Sequence, residues 1–176
     1  VLLSSTLLSA LNVQADETEP TKDSATSTAK ITFTGDNSDP VNPVDPDDPD
    51  NPVNPVDPDD PDNHGTGDNG PLSIDYVSNI TFGTKDISTT SQVYNAENAE
   101  PHVQITDKRG VEGGWTLTAA ATKFVASDSS ELKGAELLFK NGVAETTSDN
   151  TSKAPVTSDL IFDNTEAKTV MTADSL

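Results

Sequence analysis

Carboxylates are the groups this sequence offers most freely to chemistry, with 30 Asp and Glu against 10 Lys and Arg in 176 residues. Asp75 and Asp107 could in principle act as the acid and base of a glycoside-hydrolysing pair. An acidic chain supplies such pairs by chance, and no nucleophile held by a base and a third orienting group accompanies them. The G-x-S-x-G, H-E-x-x-H, P-loop and dinucleotide-binding patterns are all missing. No catalytic residue is therefore expected, and the chain reads as a non-enzyme. His64 and His102 stand far apart in linker and loop contexts without a third ligand, so neither a metal nor a cofactor is expected. With no cysteine, disulfides, thiolate zinc sites and a cysteine nucleophile are excluded.

The side chains best suited to binding lie together. Trp115 and Leu117 point to one face of a strand and Thr116 and Thr118 to the other, because strand side chains alternate. Trp115 has two readings: a core residue, or an exposed ring that stacks on the apolar face of a sugar. Burying Trp115 and Leu117 would contribute roughly 1.5–3 kcal/mol each. Thr116 and Thr118 offer hydroxyls to a glycan or continue a solvated face. Arg109, two residues after Asp107 in a turn, is placed for a charge-assisted bond that orders the loop, with ligand contact as the second reading.

These residues sit in the less charged part of the chain. Residues 16–70 hold 15 acidic and 2 basic residues, and 71–176 hold 15 and 8. The first part reads as a solvated, self-repelling segment and the second as one small domain. No basic stripe exists to release counterions from nucleic acid or to dock on anionic lipid. At the N-terminus, Val1–Leu11 is apolar but too short to span a bilayer, and Val13-Gln14-Ala15 resembles a signal-peptidase site. Residues 1–15 are expected to be the remnant of a signal peptide cleaved after Ala15, leaving no membrane insertion in the mature protein.

Residues 16–70 are expected to form a disordered acidic linker. Lys30–Thr34 alternates briefly and is either a lone strand joining the later domain or a sticky spot in the linker. PVNPVDPDDPDN then occurs twice without change, at 40–51 and 52–63, with proline at every third position. Polyproline II has three residues per turn, which places all the prolines on one ridge. Proline also restricts its predecessor to extended conformations. The 24 residues are expected to form a semi-rigid stalk with a reach on the order of 70 Å. Asp45–Asn51 has the carboxylate density of a calcium loop, but its prolines oppose the required tight turn, and loose counterion condensation is the favoured reading. Its acidity also disfavours a proline-rich ligand role. Gly65, Gly67 and Gly70 mark a flexible junction, and the domain boundary is placed there.

From Pro71 onward the period is two. Leu72, Ile74 and Tyr76 are expected to face inward between Ser73 and Asp75. Val103 and Ile105, Trp115 to Ala119, Ala135 to Phe139, and Leu160 with Phe162 supply further strands. Asn141-Gly142 is a hairpin signal. The fold class is all-β, sandwich-like or barrel-like, after the acidic Pro/Asp stalk.

Gly114-Trp115-Thr116-Leu117-Thr118, with Gly70–Val77, Thr81-Phe82-Gly83 and Val103–Gly110, resembles the WxL domain of Gram-positive surface proteins. The ITFTG segment and acidic proline repeat ahead of it match that family's layout. The resemblance implies a secreted protein held non-covalently on the cell wall by peptidoglycan binding, often beside other surface proteins of the same complex. The alternative is an adhesin or interaction module that binds a surface or host matrix protein. Family members carry a second, C-terminal W-x-L-type motif that this sequence lacks after Phe139. No closing strand is expected after Phe162, so the domain over 71–176 is expected to be C-terminally incomplete, with a sheet edge left unpaired.

Overall fold

The computed structural model describes residues 28–32, 39–52, 60–111 and 113–175. Residues 1–32 and 33–176 form separate units. Residues 28–32 of the first contain no strand, and Ile31 is exposed. The signal-peptide reading, nearly all of the disordered stretch ahead of Lys30, and Phe33–Gly35 lie outside the described residues. The second unit is all-β among its described residues, with nine short strands in four sheets.

The first hairpin pairs β1 (Val44–Asp45) with β2 (Asp48–Pro52). Over the first repeat copy this differs from the expected polyproline stalk, because the chain turns back on itself at Pro46-Asp47, while residues 53–59 of the second copy lie outside the described residues. The Asp45 carboxylate accepts from the Asp47 N–H at 2.9 Å and closes the turn, a role short acidic side chains fill at turns. Docking supplies the rest. Gln104 accepts from the Val44 N–H at 2.9 Å and donates to the Asn42 carbonyl at 3.1 Å, treating the repeat as a neighbouring strand would. Asp50 accepts from the Ser148 N–H.

The hairpin tip carries a charge conflict. Glu100 faces Asp47, with Asp45 and His102 also acting on it, and the Asp47 carboxylate is the main cause raising the Glu100 pKa. A carboxyl whose pKa is raised by folding favours the folded arrangement in its neutral form, so docking strengthens as pH falls through that raised value. Glu100→Gln should remove the conflict at neutral pH. The Val44 amide should then exchange more slowly with solvent than in the parent, and its pH dependence should flatten.

β3 (Leu72–Val77) and β4 (Val103–Asp107) form an antiparallel pair. The inward-facing set on β3 keeps Tyr76 but otherwise departs from the expected one. Ser73 and Asp75 are buried, at 4% and 1% exposure, whereas Ile74 is 39% exposed. The register shifts between Ile74 and Tyr76, a β-bulge that admits one extra residue and reverses the alternation. Tyr76 thereby becomes fully buried beside Asp75. The Asp75 carboxyl accepts from the Ser73 hydroxyl at 2.6 Å, the Thr106 hydroxyl at 2.6 Å and the Gln104 amide at 3.3 Å. Asp75 is tolerated inside because its carboxyl is satisfied by these donors, and through Gln104 it is linked to the hairpin.

The glycine-rich junction runs along β3. Thr66 donates its N–H to the Asp75 carbonyl and its hydroxyl to the Ile74 carbonyl. Asn63 donates to the Tyr76 hydroxyl and the Val77 carbonyl. His102 stacks on Tyr76 with centroids 4.9 Å apart.

A three-stranded sheet orders β5 (Trp115–Ala119), β9 (Lys168–Ala173) and β7 (Val156–Thr157), all antiparallel. The expectation of no strand after Phe162 is corrected by β9, whose Thr169, Val170 and Thr172 are β-branched residues suited to a sheet. A fourth sheet pairs β6 (Leu137–Phe139) with β8 (Leu160–Phe162). Asn141 does adopt the left-handed conformation, with φ 58°, but the chain does not close a tight hairpin there. The segment after Gly142 forms no strand, and β6 takes β8 as its partner. Phe162 packs edge-on against Phe139. Among the described residues, Tyr76 and Phe162 are the buried apolar side chains. With so little apolar core, the buried polar contacts weigh heavily in stability.

Candidate functional site

The W-x-L strand is built from its preceding glycines outward. At Gly114 an added Cβ would lie 2.5 Å from the Ala173 carbonyl oxygen and 2.9 Å from the Ser175 nitrogen. Only glycine allows the backbone to enter β5 that close to the end of β9. The register then sets Trp115 opposite Ala173, Thr116 opposite Thr172 and Leu117 opposite Met171, with a bulge before Thr118 and Thr169.

Trp115, Leu117 and Ala119 are half-buried and Thr116 and Thr118 exposed, as the alternation requires. Trp115 is thus neither a core residue nor a free ring. Trp115→Ala is expected to cost about 1–2 kcal/mol, part of the value for full burial, read as a lower urea midpoint with an unchanged slope. On the other face Thr116 and Thr118 stand beside Thr172 and Thr169 of β9. These β9 residues escaped the sequence reading, although the run Thr169-Val170-Met171-Thr172 carries the β-branched signal that would have found them.

Arg109 reaches this strand from the turn after β4. Its guanidinium bonds both Asp107 oxygens, at 2.9 and 2.7 Å, and donates to the Gly113 and Gly114 carbonyls at 2.6 and 3.3 Å. Arg109 is thus bonded to the backbone that leads into Trp115, while Trp115 with Leu117 and Thr116 with Thr118 point to opposite faces of the strand. Hydrogen bonding from Arg109 is the main cause holding the Asp107 pKa below the usual carboxylate value. The same pairing raises that of Arg109. A carboxylate whose pKa is depressed by folding adds stability above its unfolded pKa and loses it as pH falls through the folded value. This turn is thus stabilised at neutral pH and weakens below the ordinary Asp range.

Asp75 and Asp107, the carboxylates weighed for hydrolysis, have separate duties, one inside the β3–β4 polar network and the other on Arg109. Among the described residues no group of three or more His, Cys, Asp or Glu is placed to hold a metal ion. No helix among them is long and apolar enough to cross a membrane.

The family model described as WxL domain, surface cell wall-binding, matches residues 20–175, and the chain belongs to that family. It is a protein of the cell wall surface, in a family of binding domains rather than enzymes. No curated protein and no solved structure matches the chain.

Proposed function

We propose that this chain is a non-enzymatic surface protein held non-covalently on the wall through peptidoglycan binding, with the outward face of β5 and β9 as the contact. The observation that carries this is the exposure of Thr116 and Thr118 on the strand bearing the family's motif, beside Thr169 and Thr172. Hydroxyls that both donate and accept match the hydroxyls and amides of a glycan. No carboxylate lies on β5, although the chain carries a net charge of −20. Trp115 and Leu117 shape the strand from the opposite face, and Arg109 fixes the turn that feeds it.

The test is co-sedimentation with purified peptidoglycan sacculi stripped of proteins. Saturable pelleting is expected, and Thr116→Ala with Thr118→Ala should weaken it about tenfold, the equivalent of one to two net hydrogen bonds, without shifting the unfolding midpoint. A folded sample that stays in the supernatant overturns the proposal. The second reading, a module that binds another surface protein or a host matrix protein, is favoured by exposed apolar side chains. Ile87 is 100%, Val93 89% and Leu132 67% exposed. It predicts retention on walls only when their proteins are present.

A further inference from the structure

We propose that the outer edge of β5 is a self-pairing surface, joining two copies of this chain in an antiparallel contact whose two-fold axis passes at Leu117. β5 is the terminal strand in the order β5-β9-β7. Its backbone bonds β9 on one side, and on the other it meets no strand among the described residues. An edge in this state presents alternate N–H and C=O groups to any chain that approaches in register. Sheet edges are commonly protected by charge, proline or a covering segment. Trp-Thr-Leu-Thr-Ala has neither charge nor proline.

The occupant is specified by the strand's own sequence. Antiparallel pairing about Leu117 sets Trp115 against Ala119 of the second copy, Thr116 against Thr118, and Leu117 against Leu117. Large side chains then meet small ones and threonines meet threonines, favourable cross-strand combinations. The same pairings already exist on the other side of β5, where Trp115 faces Ala173, Thr116 faces Thr172, and Leu117 faces the flexible apolar Met171. A second β5 thus offers this strand nearly what β9 offers it. Charge points the same way, since in a chain with 30 carboxylates this is a stretch where two copies meet without opposing them. A five-residue edge is smaller than a standard stable interface, so pairing is weak in dilute solution and gains from the crowding of chains on a surface. Pairing would double the threonine face, but it stands apart from the wall-binding proposal, because it uses the edge of the strand and is read without any wall present.

Sedimentation velocity over a concentration series of the whole chain should show a reversible monomer–dimer equilibrium. Thr116→Glu with Thr118→Glu places like charges opposite each other at two positions and should weaken the dimer about tenfold. Thr116→Lys with Thr118→Glu places opposite charges there and should restore it. Both sites are exposed, so the monomer fold should survive, as checked by its melting curve. Since the chain has no cysteine, Thr116→Cys and Thr118→Cys can also report the register. An oxidised mixture of the two should cross-link position 116 to position 118, while each alone should cross-link poorly. A parent chain that remains monomeric at every concentration, two charge variants that dimerise equally, or single variants that cross-link as well as the mixture would each overturn the proposal.

Discussion

Asp75→Ala should remove about 3 kcal/mol of stability, although no sequence pattern marks Asp75 as a core position. Its carboxyl accepts from Ser73, Thr106 and Gln104 and is 1% exposed. Truncation leaves three donors facing a cavity, one from the buried Ser73. A buried polar group stripped of its partner costs about 1–3 kcal/mol. Rotation of the two hydroxyls offsets part of the sum. The loss is a large share of the total for a domain of this size, about 5–15 kcal/mol at most. Gln104 would also lose the bond that orients it, so Asn42 and Val44 should detach before the sheets do. Urea unfolding followed by tryptophan emission, with proteolysis near the hairpin as a second readout, tests both parts. Ser73→Ala should cost about 1 kcal/mol, the net worth of one hydrogen bond. If Asp75→Ala lies within about 0.5 kcal/mol of the parent, as ordinary surface changes do, the network is not what holds β3 to the hairpin.

Gly114→Ala should cost a similar amount by a different mechanism. The added methyl meets the Ala173 carbonyl oxygen at 2.5 Å, the Ser175 nitrogen at 2.9 Å and the Asp174 carbonyl carbon at 3.1 Å. All three are backbone atoms, so no side chain can swing aside and the end of β9 must move. Forced shifts of this kind cost typically 1–3 kcal/mol, and a value of about 3 is expected because the Trp115–Ala173 pair opens as well. Gly113→Ala is the matched control. There the nearest atoms lie 3.6 Å away on the side chains of Arg109 and Val111, and little change is expected. Equal melting temperatures for the two variants would mean that β5 and β9 do not meet as closely as described.

The two predictions draw on parts of the molecule that differ in how far the sequence exposes them. The alternation of Trp115, Leu117 and Ala119 with Thr116 and Thr118 is legible from the chain and matches the exposure found. So are β4, β6 and β8, because the direction of a strand side chain depends on local backbone geometry. The inside of β3 is not. Its apolar residues proposed one face, but Ser73 and Asp75 turn inward ahead of a bulge that brings only Tyr76 of that face inside with them. The Pro/Asp repeat likewise reads as a straight stalk from its own residues. The folding back of its first copy depends on Gln104, 60 positions beyond Val44. Along the chain nothing brings that glutamine to the repeat.

Acidity, the all-β class and the positions of β3, β4, β5, β6 and β8 are readable along the chain, since they follow from composition and short-range periodicity, while the W-x-L motif is readable only as a resemblance to a wall-binding family. It takes the folded arrangement to show which polar residues lie inside, that Lys168–Ala173 is the partner of the motif strand, and that β5 stands at an edge among the described strands. Those outcomes depend on which distant groups satisfy one another. Asp75 reaches Thr106 across 31 positions, and the energy of burying a polar group is settled by the partner it finds.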